Sequence, residues 1–211
     1  MKDLKISQFL EKLSTGEPLP GGGSASVLAG ALSASLLCMV ANLTIGKSGY
    51  EGVKGEMEEI QKQAEALRRR LLDAVEDDIR GLEQVISAFR LPKETEAQRQ
   101  KRRRFIQEAY KRAAQTPLEV SQLSLELLDL REAIVKKGNI SAVSDAGVAF
   151  YLADAALKGG LMNVRVNLST VTDESYKRPV QKIVDEIEKR GGVLKQKIQD
   201  VLLSKMANQL S

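Results

Sequence analysis

The chain has 211 residues, of which 43% are hydrophobic, 28% charged and only 4% aromatic, with no Trp, no His and a formal net charge of +4. That length and balance suit one globular domain with a sizeable core and exclude a disordered chain. Without histidine there is no Ser-His-Asp triad, no imidazole base and no His-ligated metal, so proton transfer falls to Asp, Glu, Lys, Tyr or the single Cys38.

The lone cysteine excludes an internal disulfide and fits a reducing compartment. The opening Met1-Lys2-Asp3-Leu4-Lys5 has no apolar export core, so a cytoplasmic location is expected. The mild basic excess suits a small anionic ligand and is not by itself a sign of nucleic-acid binding.

Ala, Leu, Glu, Lys, Gln and Arg dominate, which favours helix. A short amphipathic helix is expected over residues 3–14, followed by a loop with Pro18 and Pro20. From Pro18 to Gly46 no residue is charged, but the segment is rich in Gly, Ala, Ser, Asn and Thr. Small residues let helices approach closely, so a buried central helix is expected there rather than a membrane span.

The next helix covers about residues 51–90. Leu67, Leu71, Val75, Leu82, Val85 and Phe89 form its apolar stripe, and Asp78 fills the seven-residue gap in that stripe. Leu91-Pro92 stops it. Residues 94–115 form another helix. At Thr116-Pro117-Leu118-Glu119 the pattern reads as a restart with Thr116 as cap, or as a kink in one long helix ending near Lys137.

Asn139 or Ser141 caps the following helix, which Gly159-Gly160 is expected to end near Leu157. Residues 161–171 are helix or strand by pattern alone. A final helix carries Ile183, Ile187, Val193, Leu194, Ile198 and Leu202, with a bend expected at Gly191-Gly192. The expected fold is all-α, a single-domain antiparallel helical bundle with long helices spanning residues 1–211.

Several constellations offer chemistry. Gly21, Gly22, Gly23 and Ser24 open the uncharged helix, where free N–H groups face an anion; the plainer reading is a tight entry loop. Asp78 on a buried stripe must be paired, hydrogen-bonded or protonated, and burial suits an acid–base role. Asp145, with Ser144 beside it, is expected on the inward side with Val148 and Leu152. Asn163 and Asn167 share a helical face and offer two amides to a heterocycle, or to a neighbouring helix. Lys47 and Tyr50 follow Gly46, and Asn139 follows Gly138. The run Arg99, Lys101, Arg102, Arg103, Arg104 reads as a solvated face, an anion site or a nucleic-acid site.

Taken in order, Pro20-Gly21-Gly22-Gly23-Ser24, Gly30-Ala31-Leu32, Met39-Val40, Leu43-Thr44, Gly46-Lys47, Tyr50, Asp78, Leu91-Pro92-Lys93, Gly138-Asn139, Ser144-Asp145-Ala146, Asn163-Val164 and Asn167-Leu168 resemble one family. It is that of the cyclodeaminase domain of formiminotransferase-cyclodeaminase and the methenyltetrahydrofolate cyclohydrolases. The likeness covers about residues 5–175 and departs from the family pattern at Leu82, Ser33 and Ser35.

The resemblance implies an all-helical homodimer with a folate cleft beside the glycine-rich loop, acting on a tetrahydrofolate derivative, polyglutamylated or not. It implies conversion of 5-formiminotetrahydrofolate to 5,10-methenyltetrahydrofolate and ammonia, or hydrolysis of the methenyl compound to 10-formyltetrahydrofolate. Neither reaction calls for a metal or a cofactor beyond the folate, a nucleic acid or a membrane.

Asp78 is then the leading acid–base group and Asp145 the second. Gly21, Gly22, Gly23, Ser24, Lys47, Tyr50, Asn139, Ser144, Asn163 and Asn167 line the pocket, and Lys47 or the 99–104 run attracts the glutamate tail. A non-catalytic helical adaptor is the reading from another class; it requires Asp78 to be merely salt-bridged.

Overall fold

The computed structural model of the chain describes residues 4–210, without the side chains of residues 131 and 208–210. These residues form seven α-helices: α1 (Ile6–Leu13), α2 (Gly22–Asn42), α3 (Lys54–Phe89), α4 (Glu96–Ala113), α5 (Gln115–Lys137), α6 (Val143–Thr170) and α7 (Glu174–Leu210). Short 3-10 turns at Glu51–Val53 and Ile140–Ala142 lead into α3 and α6. Among the described residues there is no strand.

Helix α2 is the centre, packed against α3, α6 and α5. Its partners on α3 run backwards along the sequence: Cys38 Sγ reaches the Gln61 carbonyl, Gly30 faces Leu71, and Ser24 reaches Asp78. The same holds on α6, where Ser33 donates to the Ala149 carbonyl and Gly30 lies near Ala156. Both pairs are therefore antiparallel. Val27, Ala31, Ala34, Leu37 and Ala41 are buried in the seam, with Leu71, Leu128, Phe150 and Leu161 supplying bulk from the neighbours. Burial of α2 in this seam is the position expected for its uncharged sequence.

Two expectations about boundaries change. Gly159 and Gly160 do not end a helix; α6 runs through them to Thr170. Their role is close approach. A Cβ on Gly160 would lie 2.3 Å from Ser121 Oγ and 2.8 Å from the Pro117 carbonyl oxygen, and one on Gly159 would lie 2.1 Å from Ser26 Oγ. Likewise α7 continues through Gly191, which packs against Leu157.

Thr116 is not a cap, because α5 already begins at Gln115 and Ala114 keeps right-handed helical backbone angles. The kink is the correct alternative. Pro117 cannot donate the N–H that the Ala113 carbonyl would otherwise receive. Asn167 Nδ2 from α6 donates to that carbonyl instead, at 2.9 Å. Glu119 pairs with Arg70 of α3.

Beyond Asp78, α3 leaves the main bundle and pairs with α4 around a small second core of Val85, Ala88, Ile106 and Ala109. Much of the basic run is spent closing this hairpin. Arg99 donates to the carbonyls of Lys93 and Glu94, and both Arg99 and Arg103 pair with Glu96. Arg102 donates to the Phe89 carbonyl and stacks over that ring at 5.3 Å.

Gly160→Ala is expected to lower unfolding stability by roughly 1–3 kcal/mol, since its methyl group meets backbone that cannot retreat. Urea unfolding of the variant against the parent checks this. An unchanged midpoint would mean the α5–α6 seam is looser than described.

Candidate active site

Helix α2 starts at Gly22, with Gly21 in an extended conformation before it. The first intrahelical bond runs from Ala25 N–H to the Gly21 carbonyl. The N–H groups of Gly22, Gly23 and Ser24 thus precede the hydrogen-bonded ladder, at the positive end of a long uncharged helix. Asp78 of α3 is brought to this end.

The Ser24 hydroxyl, fully buried, donates to Asp78 Oδ2 at 2.9 Å. A Cβ on Gly23 would lie 2.4 and 2.7 Å from the two carboxylate oxygens. Only glycine at that position admits the carboxylate.

Asp78 has no ion pair among the described residues, so the salt-bridged reading required by an adaptor fails. Burial pushes its pKa above the ordinary carboxylate value, and the Ser24 hydrogen bond opposes this in part. The neighbouring Asp77 behaves as an off-stripe acid and pairs with Arg80.

Asn163 and Asn167 lie at the same end of the bundle. Asn163 Nδ2 donates to the Gly159 carbonyl at 2.8 Å, beside the contact with Ser26. Asn167 reaches Ala113, whose Cα is 3.4 Å from where a Cβ of Gly81 would stand, one turn beyond Asp78. Both amides thus use their N–H groups in structural bonds.

Lys47, Tyr50 and Asn139 form a second group at the opposite end of α2. Lys47 Nζ donates to Asn139 Oδ1 at 2.6 Å and sits 5.7 Å from the Tyr50 ring centroid. Asn139 also donates from Nδ2 to the Leu43 carbonyl and from its backbone to Thr44 Oγ1. The Tyr50 hydroxyl accepts the Ile140 N–H. Ser144 and Asp145 are nearby on the first turn of α6.

The expectation of one pocket lined by all these residues is therefore corrected for the single chain. Helix α2 is 21 residues long, so the groups lie about 30 Å apart at 1.5 Å per residue. A second correction concerns Asp145. Val148, expected to point inward with it, is 53% exposed, and the buried face of α6 is Ala146, Ala149, Phe150 and Ala153. Ser26, which the sequence reading did not single out, bonds the Gly22 carbonyl at the first end, and Thr44 of the Leu43-Thr44 pair accepts the Asn139 N–H at the second. The Ser24-Ala25-Ser26 spacing was the available signal for Ser26.

A half-buried carboxylate without an ion pair among the described residues, held by a buried hydroxyl at a helix N-terminus, is an arrangement suited to acid–base chemistry. The profile of the formiminotransferase-cyclodeaminase family matches residues 5–186. The chain belongs to that family.

It is 36% identical over 201 residues to a methenyltetrahydrofolate cyclohydrolase of Methylorubrum extorquens, covering 95% of this chain and 97% of the relative. It is 28% identical over 175 residues to the formimidoyltransferase-cyclodeaminase of Rattus norvegicus, of which the match covers only 32%. Its fold matches the crystal structure of a formiminotetrahydrofolate cyclodeaminase from Thermotoga maritima, with a TM-score of 0.86, 29% identity, and coverage of 96% of this chain and 98% of that one.

Burial raises Asp78's pKa above its unfolded value, so folding penalises its charged form. The penalty is absent well below the ordinary value of 3.8 and fully present above the raised one. Asp78→Asn should therefore be more stable than the parent at pH 7, with the gap closing as pH falls towards 3.8. Urea unfolding across that range checks it. A parent that is the more stable at pH 7 would mean the carboxylate has a cationic partner.

Proposed function

We propose that this chain is a folate one-carbon enzyme acting at the carbon that bridges N5 and N10 of tetrahydrofolate. The observation that carries the proposal is Asp78, half-buried, without an ion pair among the described residues and hydrogen-bonded to Ser24 beside the free end of α2. The first reading is cyclodeamination. N10 of 5-formiminotetrahydrofolate attacks the formimino carbon, the N10 proton passes to the formimino nitrogen, protonated Asp78 gives that nitrogen a second proton, and ammonia leaves the methenyl cation.

The second reading is cyclohydrolysis. Asp78 as carboxylate takes a proton from water as the oxygen adds to the methenyl carbon, then gives it to N5 as the C–N5 bond breaks, while the adduct's hydroxyl proton passes to solvent and leaves 10-formyltetrahydrofolate. The 36% identity to a cyclohydrolase of matching length favours this second reading. The likeness to a cyclodeaminase structure favours the first. Both steps balance with the folate, water and one carboxyl group, without a metal or redox cofactor.

The working unit is a homodimer. Outward residues of α2 (Leu32, Met39, Leu43) and of α6 (Val148, Tyr151, Met162, Val166) are exposed and apolar. Since α2 and α6 lie side by side, these stripes form one apolar face, and such a face on a folded chain marks a contact. A two-fold axis across the middle of α2 makes the pairing self-complementary. It sets the Lys47–Tyr50–Asn139 group of one protomer beside the Asp78–Ser24 group of the other. Lys47 then meets the anionic glutamate end of the folate, with or without further γ-glutamyl residues. The setting for this chemistry is the cytoplasm.

Asp78→Asn should lose turnover by about 10²- to 10⁴-fold while staying folded. The check follows methenyl absorbance and ammonia from 5-formiminotetrahydrofolate, and methenyl loss in parallel. Ammonia release identifies the first reading, and methenyl loss alone the second. Full turnover by a folded Asp78→Asn would remove Asp78 from the chemistry.

Mixing inactive Asp78→Asn protomers with impaired Lys47→Ala protomers tests the shared site. Each mixed dimer then holds one site with both changes and one with neither, so activity returns. No recovery in demonstrated mixed dimers would place each site within one chain.

A further inference from the structure

A cavity of about 760 Å³ opens between α3 and α4. It is not the Asp78 site. On α3 its walls include Arg80, Glu83, Gln84 and Ser87. At helical spacing these lie on the opposite side from Asp78, Leu82 and Phe89. The close contact of Gly81 with Ala113 stands between the two regions. The volume falls in the range of small-molecule sites, roughly 300–1,000 Å³.

Its chemistry is specific. Arg104 and Arg112 of α4 line it, and neither forms a hydrogen bond or ion pair among the described residues. This sets Arg104 apart from the rest of the basic run, where Arg99, Arg102 and Arg103 close the hairpin. Arg80, at the same wall, is held by Asp77. Leu91, Ala88 and Ala109 give an apolar floor, and Phe105, 44% exposed, stands at it with Lys101 Nζ 5.9 Å from its ring centroid. Glu83 and Glu108 are also on the lining, the latter paired with Lys111.

Two guanidinium forks suit carboxylates, which they bind in bidentate fashion. The two glutamates repel a dense anion such as a polyphosphate but accept N–H donors. Ring and floor take a flat apolar body. We infer that this cavity is a second ligand site, taking a small amphipathic dicarboxylate with an aromatic body and amide or amine N–H donors.

The site rests on the cavity alone. The choice of probe, p-aminobenzoyl-L-glutamate, rests on the folate reading, because that molecule is the anionic half of a folate and lacks the reacting pterin. Calorimetric titration of the full chain with this probe is the test. Binding is expected to weaken with added salt. It should fall roughly ten- to hundredfold in Arg104→Ala and in Arg112→Ala, as expected for loss of a charged hydrogen bond. Arg104→Lys, which keeps the charge and loses the fork, should fall between parent and Ala. Asp78→Asn should bind as the parent does.

Absence of binding, or binding lost in Asp78→Asn and retained in Arg104→Ala, would overturn the second site. A chain that binds the probe through Arg104 but turns over neither folate substrate would keep the site and sink the proposed reaction.

Discussion

Helix α2 has no charged side chain and few large ones, so little of its burial comes from bulk. Its stability comes from backbone being brought close to backbone on several sides, which interior packing density rewards. Gly30 admits Leu71 and lies near Ala156; Gly159 admits Ser26. The hydroxyls in these seams are satisfied without water. Ser26 and Ser35 bond their own helix four residues back, and Ser33 crosses to the Ala149 carbonyl of α6. Gly23 is the last such approach along α2, and what approaches it is a carboxylate rather than a methyl group. The candidate site is thus one end of the packing seam that builds the fold.

The same economy holds at the α4–α5 junction. Pro117 leaves the Ala113 carbonyl without its usual donor, and an unsatisfied carbonyl beside the core costs about 1–3 kcal/mol. Asn167 supplies the bond from α6. Because Ala113 also lies against Gly81, one amide fixes the bend of α5, the departure of the α3–α4 hairpin and the wall beyond Asp78. Asn167 lies near the chemistry, and its amide N–H acts on the wall.

Much of this was legible in the sequence, for reasons that also mark where reading fails. Asp78 stood out because it interrupts a 3.6-residue stripe, and that periodicity is a direct image of burial. Gly21 to Ser24 stood out because consecutive glycines at the start of a helix are rare without a cause. Gly159-Gly160 misled because glycine signals both a helix end and a close contact, and only the partner helix distinguishes them. Val148 misled because an outward apolar residue can keep the same spacing as a core stripe. The basic run concealed two fates, hairpin closure for Arg99, Arg102 and Arg103 and a cavity wall for Arg104, which depend on where α3 ends in space. No spacing rule links Lys47 to Asp78 either, since the full length of a helix separates them.

That separation and the outward stripe are best understood together. Among the described residues, a protomer alone holds a half-buried acid without an ion pair at one end of α2 and a lysine–amide–phenol group at the other. It also exposes apolar side chains along the two helices that join those ends. Each of these is an unusual feature for a finished monomer, and separate explanations would be needed for three of them. Placing a second copy on the α2–α6 face covers the stripe and sets the two half-sites against each other in one arrangement. The proposed two-fold pairing then requires Asp78 to stay unpaired in the protomer, since a cation supplied by its own chain would quench the acid before the partner arrived. The Ser24 hydroxyl engages one carboxylate oxygen, and the proposed pairing brings the reacting carbon of the folate to the carboxyl group while the partner's lysine stays at the glutamate end.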